Sequence, residues 1–262
     1  MPRHVYHLDL DDDRIQGAQI ALLPGDPGRV PSIAGMPPFL HGREVANKRE
    51  YRSWLADLGG VSVLVMSTGI GGPSTSIAVD ELAQLGVRTF LRVGTTGAIQ
   101  PHIAVGDVVI TTGAVRLDGA SRHYAPIEYP AVAHYQVIQA LVQAAQEEGV
   151  AFHAGITCSS DTFYPGQERF DSYSGYVPRQ FQGATEEWRR LQVLNYEMEA
   201  ATLLTICSAL GLRGGCVEGV IVNRTAGENI TQADLERGEQ NAVRVAVRAA
   251  HGLALGRHAS AG

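Results

Sequence analysis

Two arginines stand beside glycine-rich turns, and together they point to an anion. Arg29 closes the run PGDPGR (24–29), and Arg92 opens RVGTTGA (92–98), just ahead of Gly94-Thr95-Thr96-Gly97. A third glycine turn, STGIGGPS (67–74), lies between them. Glycine turns that follow a strand and open a helix present free backbone N–H groups, which suits them to hold an anion. A guanidinium gives phosphate two parallel charge-assisted hydrogen bonds, and threonine hydroxyls and glycine amides can take the remaining oxygens. Each feature also has a plain structural reading. Any single glycine turn is ordinary turn chemistry. Arg29 alone would be a solvated residue at a helix start, and Arg92, inside an apolar strand, would need a named ion-pair partner. One bound inorganic phosphate accounts for both arginines.

Other chemistries are poorly served. STGIGGPS has Ser74 where G-x-G-x-x-G needs its third glycine, and no G-x-x-x-x-G-K-[ST] occurs, so a dinucleotide or a triphosphate is not expected. Lys48 is the one lysine among 21 basic residues, which leaves almost no place for a phosphate-loop lysine or a Schiff base. The histidines show no metal-ligand spacing, so catalytic zinc is not expected. Cys158, Cys207 and Cys216 lie in apolar segments and read as buried thiols of a cytoplasmic protein. A formal charge of −6 with 18% charged residues argues against a nucleic-acid surface. No apolar run approaches the roughly 18 residues that span a bilayer. The start, MPRHVYHLDLDDDR, turns acidic at once and reads as no signal peptide.

These residues need elements to position them. Short glycine-bounded apolar runs read as strands covered on both faces: 18–23, 61–67, 89–93, 108–112, 155–159 and 216–222. Helical patterns cover 74–85, 132–148, 196–210 and 232–255. Two stretches, 35–54 and 163–192, break the rhythm and are expected to be lids, partner contacts or site loops. The final GRHASAG reads as a frayed tail. With 262 residues, 45% of them hydrophobic, and neither a repeat nor a linker, the chain is expected to be one α/β domain over 1–262.

PGDPGR, STGIGGPSTSIAVDELAQLG, FLRVGTTGAIQ, SSDTFYPGQERFD, NYEMEAATLL and VIVNRT follow one another in the order and spacing of the nucleoside phosphorylase-I family, which the chain resembles from about His7 to its closing helix. The resemblance implies a three-layer α/β/α sandwich around a central mixed, partly barrel-like sheet. It also implies a homo-hexamer built as a trimer of dimers, with each active site completed by the dimer partner. The implied reaction is the reversible phosphorolysis of uridine to uracil and ribose 1-phosphate, in pyrimidine nucleoside salvage.

The resemblance also implies roles residue by residue. Gly25, Arg29, Arg92 and Thr95 would hold phosphate, joined by Arg49 from the neighbouring subunit. Arg49-Glu50 is preferred over Arg43-Glu44 for that role because Tyr51 and Trp54 follow it. Thr95, Met198 and Glu199 would bind ribose, with His7 of the other subunit at the 5′-hydroxyl. Gln167 and Arg169 would read the base, Phe163 would pack on it, and Arg224 would support the pocket. Arg29, Arg92, Glu199, Gln167 and Arg169 are the implied catalytic set. Glu50, Ile70 and Ser74 match positions where relatives bind a potassium ion between subunits, and no catalytic cofactor is implied.

These roles make chemical sense. Cleavage of an N-glycosidic bond is expected to pass through an oxocarbenium-like sugar, by analogy with glycoside hydrolysis. Phosphate is already an anion, so no protein base is needed, and positioning and field supply the catalysis. Glutamine offers a donor and an acceptor to the O=C–N–H edge of uracil. Each residue has its ordinary reading too. Gln167 and Arg169 would be solvated loop residues, Glu197 and Glu199 acids in a first helical turn, Met198 core packing, and His7 an idle surface residue.

Purine-specific members carry an Asp after the last core strand, where this chain runs Val222-Asn223-Arg224-Thr225, which favours a pyrimidine. The segment that follows, AGENITQAD, lacks the proline that relatives commonly carry in this flap. A nucleosidase or purine phosphorylase on the same fold, and a nucleoside-binding regulator without turnover, are the alternatives.

Overall fold

The computed structural model describes residues 3–256, so the expected tail beyond Gly256 lies outside the described residues. The strands are β1 (His4–Val5), β2 (Leu10–Asp11), β3 (Ile20–Pro24), β4 (Leu40–Lys48), β5 (Tyr51–Asp57), β6 (Ser62–Met66), β7 (Thr89–Ala98), β8 (Val108–Leu117), β9 (Ala131–Val132), β10 (Phe152–Ser160), β11 (Val193–Glu197) and β12 (Arg213–Asn223). The helices are α1 (Asp12–Ile15), α2 (Arg29–Ala34), α3 (Gly72–Gln84), α4 (Tyr135–Glu147), α5 (Ala184–Arg190), α6 (Ala200–Ala209) and α7 (Gln232–Ala254).

Side-chain alternation along the central strands produces the layers. Ile20 and Leu22 of β3, with Val63 and Val65 of β6, face one core with α2, α4 and α7. Ala21 and Leu23, with Leu64 and Met66, face a second core with α3 and α6. Both faces are therefore apolar, as parallel strands under helices require. Each fully buried Leu or Val contributes about 1.5–3 kcal/mol, and the cores are contiguous enough to fix the sheet. This is the expected three-layer α/β arrangement.

The main sheet runs β11-β10-β8-β12-β7-β3-β6-β5-β4, and β11 also pairs with β7. That last pairing, Asn195 with Ala98 and Tyr196 with Gly97, closes β7, β12, β8, β10 and β11 into a five-stranded barrel. Beyond it the sheet stays open through β3, β6, β5 and β4. The long strands β7 and β12 pair in parallel from Arg213 opposite Thr89 to Asn223 opposite Ala98.

Three expectations need correction. Residues 35–54 are not a loop, since β4 and the start of β5 lie there as an antiparallel edge hairpin. Its outer strand, LHGREVANK, is mostly exposed and charged, as a managed sheet edge should be, so it lacks the apolar signature of a buried strand. Residues 196–210 are not all helix. Tyr196 and Glu197 end β11, and Glu199 is the N-cap residue of α6. The stretch 163–192 is mostly irregular but includes α5.

Candidate active site

A cavity of about 660 Å³ opens where β3, β6, β7, β11 and β12 end. Open α/β sheets characteristically bind ligands outside the carboxyl ends of their strands. The cavity gathers Gly25, Arg29, Arg92 and Thr95 with Met198 and Glu199, the last in contact with Arg92. Phe163, Gln167 and Arg169 line the other end, beside Ile221, Val222 and Ile230.

The anion end is built from backbone. The turns after β3 and β6 lock together through Thr68 N–H to the Pro24 carbonyl and Gly69 N–H to the Gly25 carbonyl, each 2.9 Å. A Cβ on Gly25 would lie 3.1 Å from the Gly69 carbonyl oxygen and 3.3 Å from Arg92 Nη2, so only glycine fits without displacement. Arg92 is buried, and donates through Nη2 to Glu199 Oε2 at 2.6 Å and through Nη1 to Thr68 Oγ1 at 2.9 Å. Burial alone would weaken its charge, but Glu199, Glu197 and Glu218 outweigh that and push its pKa up. Arg29 pairs through Nε with Glu239 of α7, and its Nη1 is buried without a partner. Burial lowers its pKa, helped by the like charge of Arg92.

Three buried carboxyls surround Arg92, and they differ in role. Glu199 accepts from Arg92 and, through Oε1, from Gly71 N–H at 2.6 Å. Glu197 accepts the amides of Glu199 and Ala200 at 2.6 and 2.7 Å and the Ser159 hydroxyl, which fixes the turn that presents Met198 and Glu199. Burial, reinforced by Glu199, raises its pKa to about 7. Glu218 lies behind Gly94, with Oε2 accepting from Asn195 and Oε1 unpartnered. Burial and Glu197 push it well above the usual carboxylate range. Burial holds two of the three, Glu197 and Glu218, toward their protonated forms.

The base end is made of loops. A single 3₁₀ turn, Pro165–Gln167, ends at Glu168 in the left-handed region (φ 53°). That reversal lets both neighbours, Gln167 and Arg169, face the cavity. Glu168 accepts the Gly183 and Thr185 amides, which ties the loop to α5. A Cβ on Gly166 would lie 2.1 Å from Ser160 Oγ, so the turn needs glycine there. Arg169 lies over the Phe163 ring at 4.2 Å, and Arg224 over Tyr196 at 5.3 Å. Both arginines pair with one carboxylate, Glu228. Arg169 Nε and Arg224 Nη1 are buried without a partner. Burial, aided by Arg224, pulls Arg169 down to about 10, and burial lowers Arg224 as well. Both guanidiniums remain charged at neutral pH.

Apart from Ile70, the remaining expected residues lie outside the cavity wall. Arg224 stands behind it, near Gly97. His7 is bound at Nδ1 to Glu81 Oε1, 2.5 Å away, and Arg49 sits exposed at the β4–β5 turn. Neither reaches the cavity of its own chain. Glu50 and Ser74 flank Gly69, while Ile70 is on the rim. Sequence reading missed Thr68, Glu218, Glu228 and Glu239. Glu228 and Glu239 look like solvated surface acids, and only folding brings them to the arginines. Among the described residues no group of three or more His, Cys, Asp or Glu could hold a metal ion. No helix among them is long and apolar enough to cross a membrane.

Comparison with known proteins bears on this geometry. The phosphorylase superfamily pattern matches residues 19–254. Uridine phosphorylase of Salmonella typhimurium is 58% identical over 249 residues, covering 95% of this chain and 98% of the relative. Uridine phosphorylase of Escherichia coli K12 is 57% identical with the same coverage. Guanosine phosphorylase of Halorubrum lacusprofundi is 40% identical over 209 residues, 80% of each chain.

Proposed function

The chain belongs to the phosphorylase superfamily, and on that premise we propose that it catalyses the reversible phosphorolysis of uridine to uracil and ribose 1-phosphate, as a pentosyltransferase. The observation that carries this reading is a single cavity with arginines and glycine turns at one end, a buried carboxylate in the middle, and Gln167 with Arg169 at the other.

Phosphate lies against Gly25, Arg29, Arg92 and Thr95. Arg29 lines the cavity there, and its guanidinium is the charged donor for one of the phosphate oxygens. Glu199, beside Met198 and Thr95, accepts the vicinal ribose hydroxyls. Both its oxygens already accept one bond, but a carboxylate has about four lone-pair sites, so the hydroxyls add to Arg92 and Gly71 rather than displace them. Its charge favours positive charge at the anomeric carbon. A phosphate oxygen forms the new bond to that carbon as the bond to uracil N1 breaks, and the electron pair leaves with the base. Gln167 and Arg169 donate to the carbonyl oxygens on which that charge collects, and Phe163 covers the ring. Arg224 supports the pocket through Tyr196.

The same reading assigns Arg49 and His7 to the cavity of a neighbouring copy, in a homo-hexamer built as a trimer of dimers. It takes residues 1–262 as one domain of a cytoplasmic enzyme of pyrimidine salvage, with no catalytic cofactor. A potassium ion between subunits would bind Glu50, Ile70 and Ser74. Ser74 Oγ lies 3.4 Å from the Ile70 carbonyl, and Ser74 and the stem of Glu50 both flank Gly69; oxygen donors of this kind suit a hard cation.

The test follows uridine absorbance with and without phosphate, with inosine as control. Uracil formed only when uridine and phosphate are both present is the expected result. Uracil without phosphate would mean a hydrolase, preferred turnover of inosine a purine enzyme, and no turnover of any nucleoside a binding protein.

A further inference from the structure

Arg29 reaches the anion end from the first residue of α2, yet what holds it comes from elsewhere. Its Nε is ion-paired with Glu239 in α7, 210 positions later in the chain. The mostly buried guanidinium lies near enough to Arg92, on the same cavity wall, for the like charge to oppose its own. Asp26 and Glu239 are the two acids that oppose the push, and Glu239 is the one in direct contact. Glu239 takes the Nε side of the guanidinium, Nη1 is buried without a partner, and Arg29 still lines the cavity.

We propose that Glu239 is the positioning residue for phosphate: it anchors the Nε side of Arg29 so that the Nη side is presented to the anion. The proposal rests on the reading of Arg29 as a phosphate ligand. A long, flexible arginine pinned at one donor loses less freedom when another donor binds, so the anchor lowers the cost of engaging phosphate. The same carboxylate also repels an incoming anion, so the sign of its effect separates the two roles. An anchor helps phosphate binding, and a mere competitor for Arg29 hinders it. The conservative variant Glu239→Gln keeps an oxygen that accepts from Nε while removing the charge.

The experiment measures KM for phosphate and for uridine, kcat and thermal stability in Glu239→Ala, Glu239→Gln, Arg29→Ala and the double alanine variant. Glu239→Ala is expected to raise the phosphate KM roughly ten-fold, as loss of a charge-assisted contact would. The uridine KM and kcat should stay within about two-fold, since no uridine contact is removed. Glu239→Gln should keep the phosphate KM within about three-fold of the parent. In the Arg29→Ala background, removing Glu239 should add nothing, because the two act through one group. A phosphate KM unchanged or lowered in Glu239→Ala, while Arg29→Ala raises it, overturns the proposal. So does an equal loss for both substrates accompanied by reduced thermal stability, the mark of a purely structural contact. An unchanged phosphate KM in Arg29→Ala would instead bring down the phosphate reading of that arginine, and the proposal with it.

Discussion

At the anion end of the cavity, Arg92 comes from the middle of a central strand, is 6% exposed, and has both Nη groups already bound. At the base end, Arg169 comes from an irregular loop. Its counterion Glu228 sits on the segment between β12 and α7, with its side chain 39% exposed. Glu228 is shared with Arg224, and donors on both guanidiniums are unspent. One end is fixed by the sheet and its buried carboxyls, while the other is assembled by loops around a single partly exposed acid. Strand-borne groups hold geometry, and loop-borne groups leave room to open and close. On the proposed reading phosphate, small and common to every turnover, meets the rigid end, and the base, which must enter and leave, meets the adaptable one.

The contrast breaks most visibly at Arg92. Replacing it with alanine leaves Glu199, Glu197 and Glu218 without their buried cation. Stability should fall by about 3–5 kcal/mol, and kcat/KM by about 10³ or more, read from thermal denaturation and steady-state rates. A soluble, fully stable variant would show that the anion end is not the preorganised one. Arg169→Ala should be gentler on the fold and selective in its effect. We expect kcat/KM for uridine to drop about 10²-fold with the phosphate KM nearly unchanged, and an unaltered kcat/KM would remove Arg169 from the mechanism. Glu228→Ala leaves Arg169 and Arg224 as two like charges without their shared counterion. A loss of roughly five-fold in kcat/KM for uridine, with Tm little changed, is expected for so exposed a partner. A Tm collapse there would mean that the base end is as rigid as the other.

The smallest effect sharpens the electrostatics. Glu197 has its folded pKa raised from 4.5 to about 7, chiefly by burial. A carboxyl raised in this way favours the folded state fully below its unfolded pKa and loses that contribution as pH climbs through the folded value. Stability should therefore decline between about pH 4.5 and 7 on this account, and Glu197→Gln should flatten that part of the profile. An identical slope in the variant would assign the titration to another group.

Arg29, Arg92 and Thr95 were legible before folding because they lie where apolar strands end in glycine, while Gln167 and Arg169 were marked only by the family resemblance; all five line the cavity. What escaped notice was long-range or polar. The β4–β5 hairpin carries charge along an exposed edge, which erases the apolar signal of a strand. Tyr196 and Glu197 read as helix because apolar residues continue into α6, while pairing with β7 and β10 holds them extended. Glu228 and Glu239 lack any local sign of function, since acids before a helix or on its polar face are ordinary, and only the tertiary fold carries them to Arg169 and Arg29.

The most direct test of the difference between the two ends is calorimetric titration of inorganic phosphate into the protein without nucleoside. A preformed anion end predicts saturable binding of one phosphate per chain, abolished in Arg29→Ala and retained in Arg169→Ala. Phosphate binding that appears only after uridine is added, or that survives in Arg29→Ala, would contradict it.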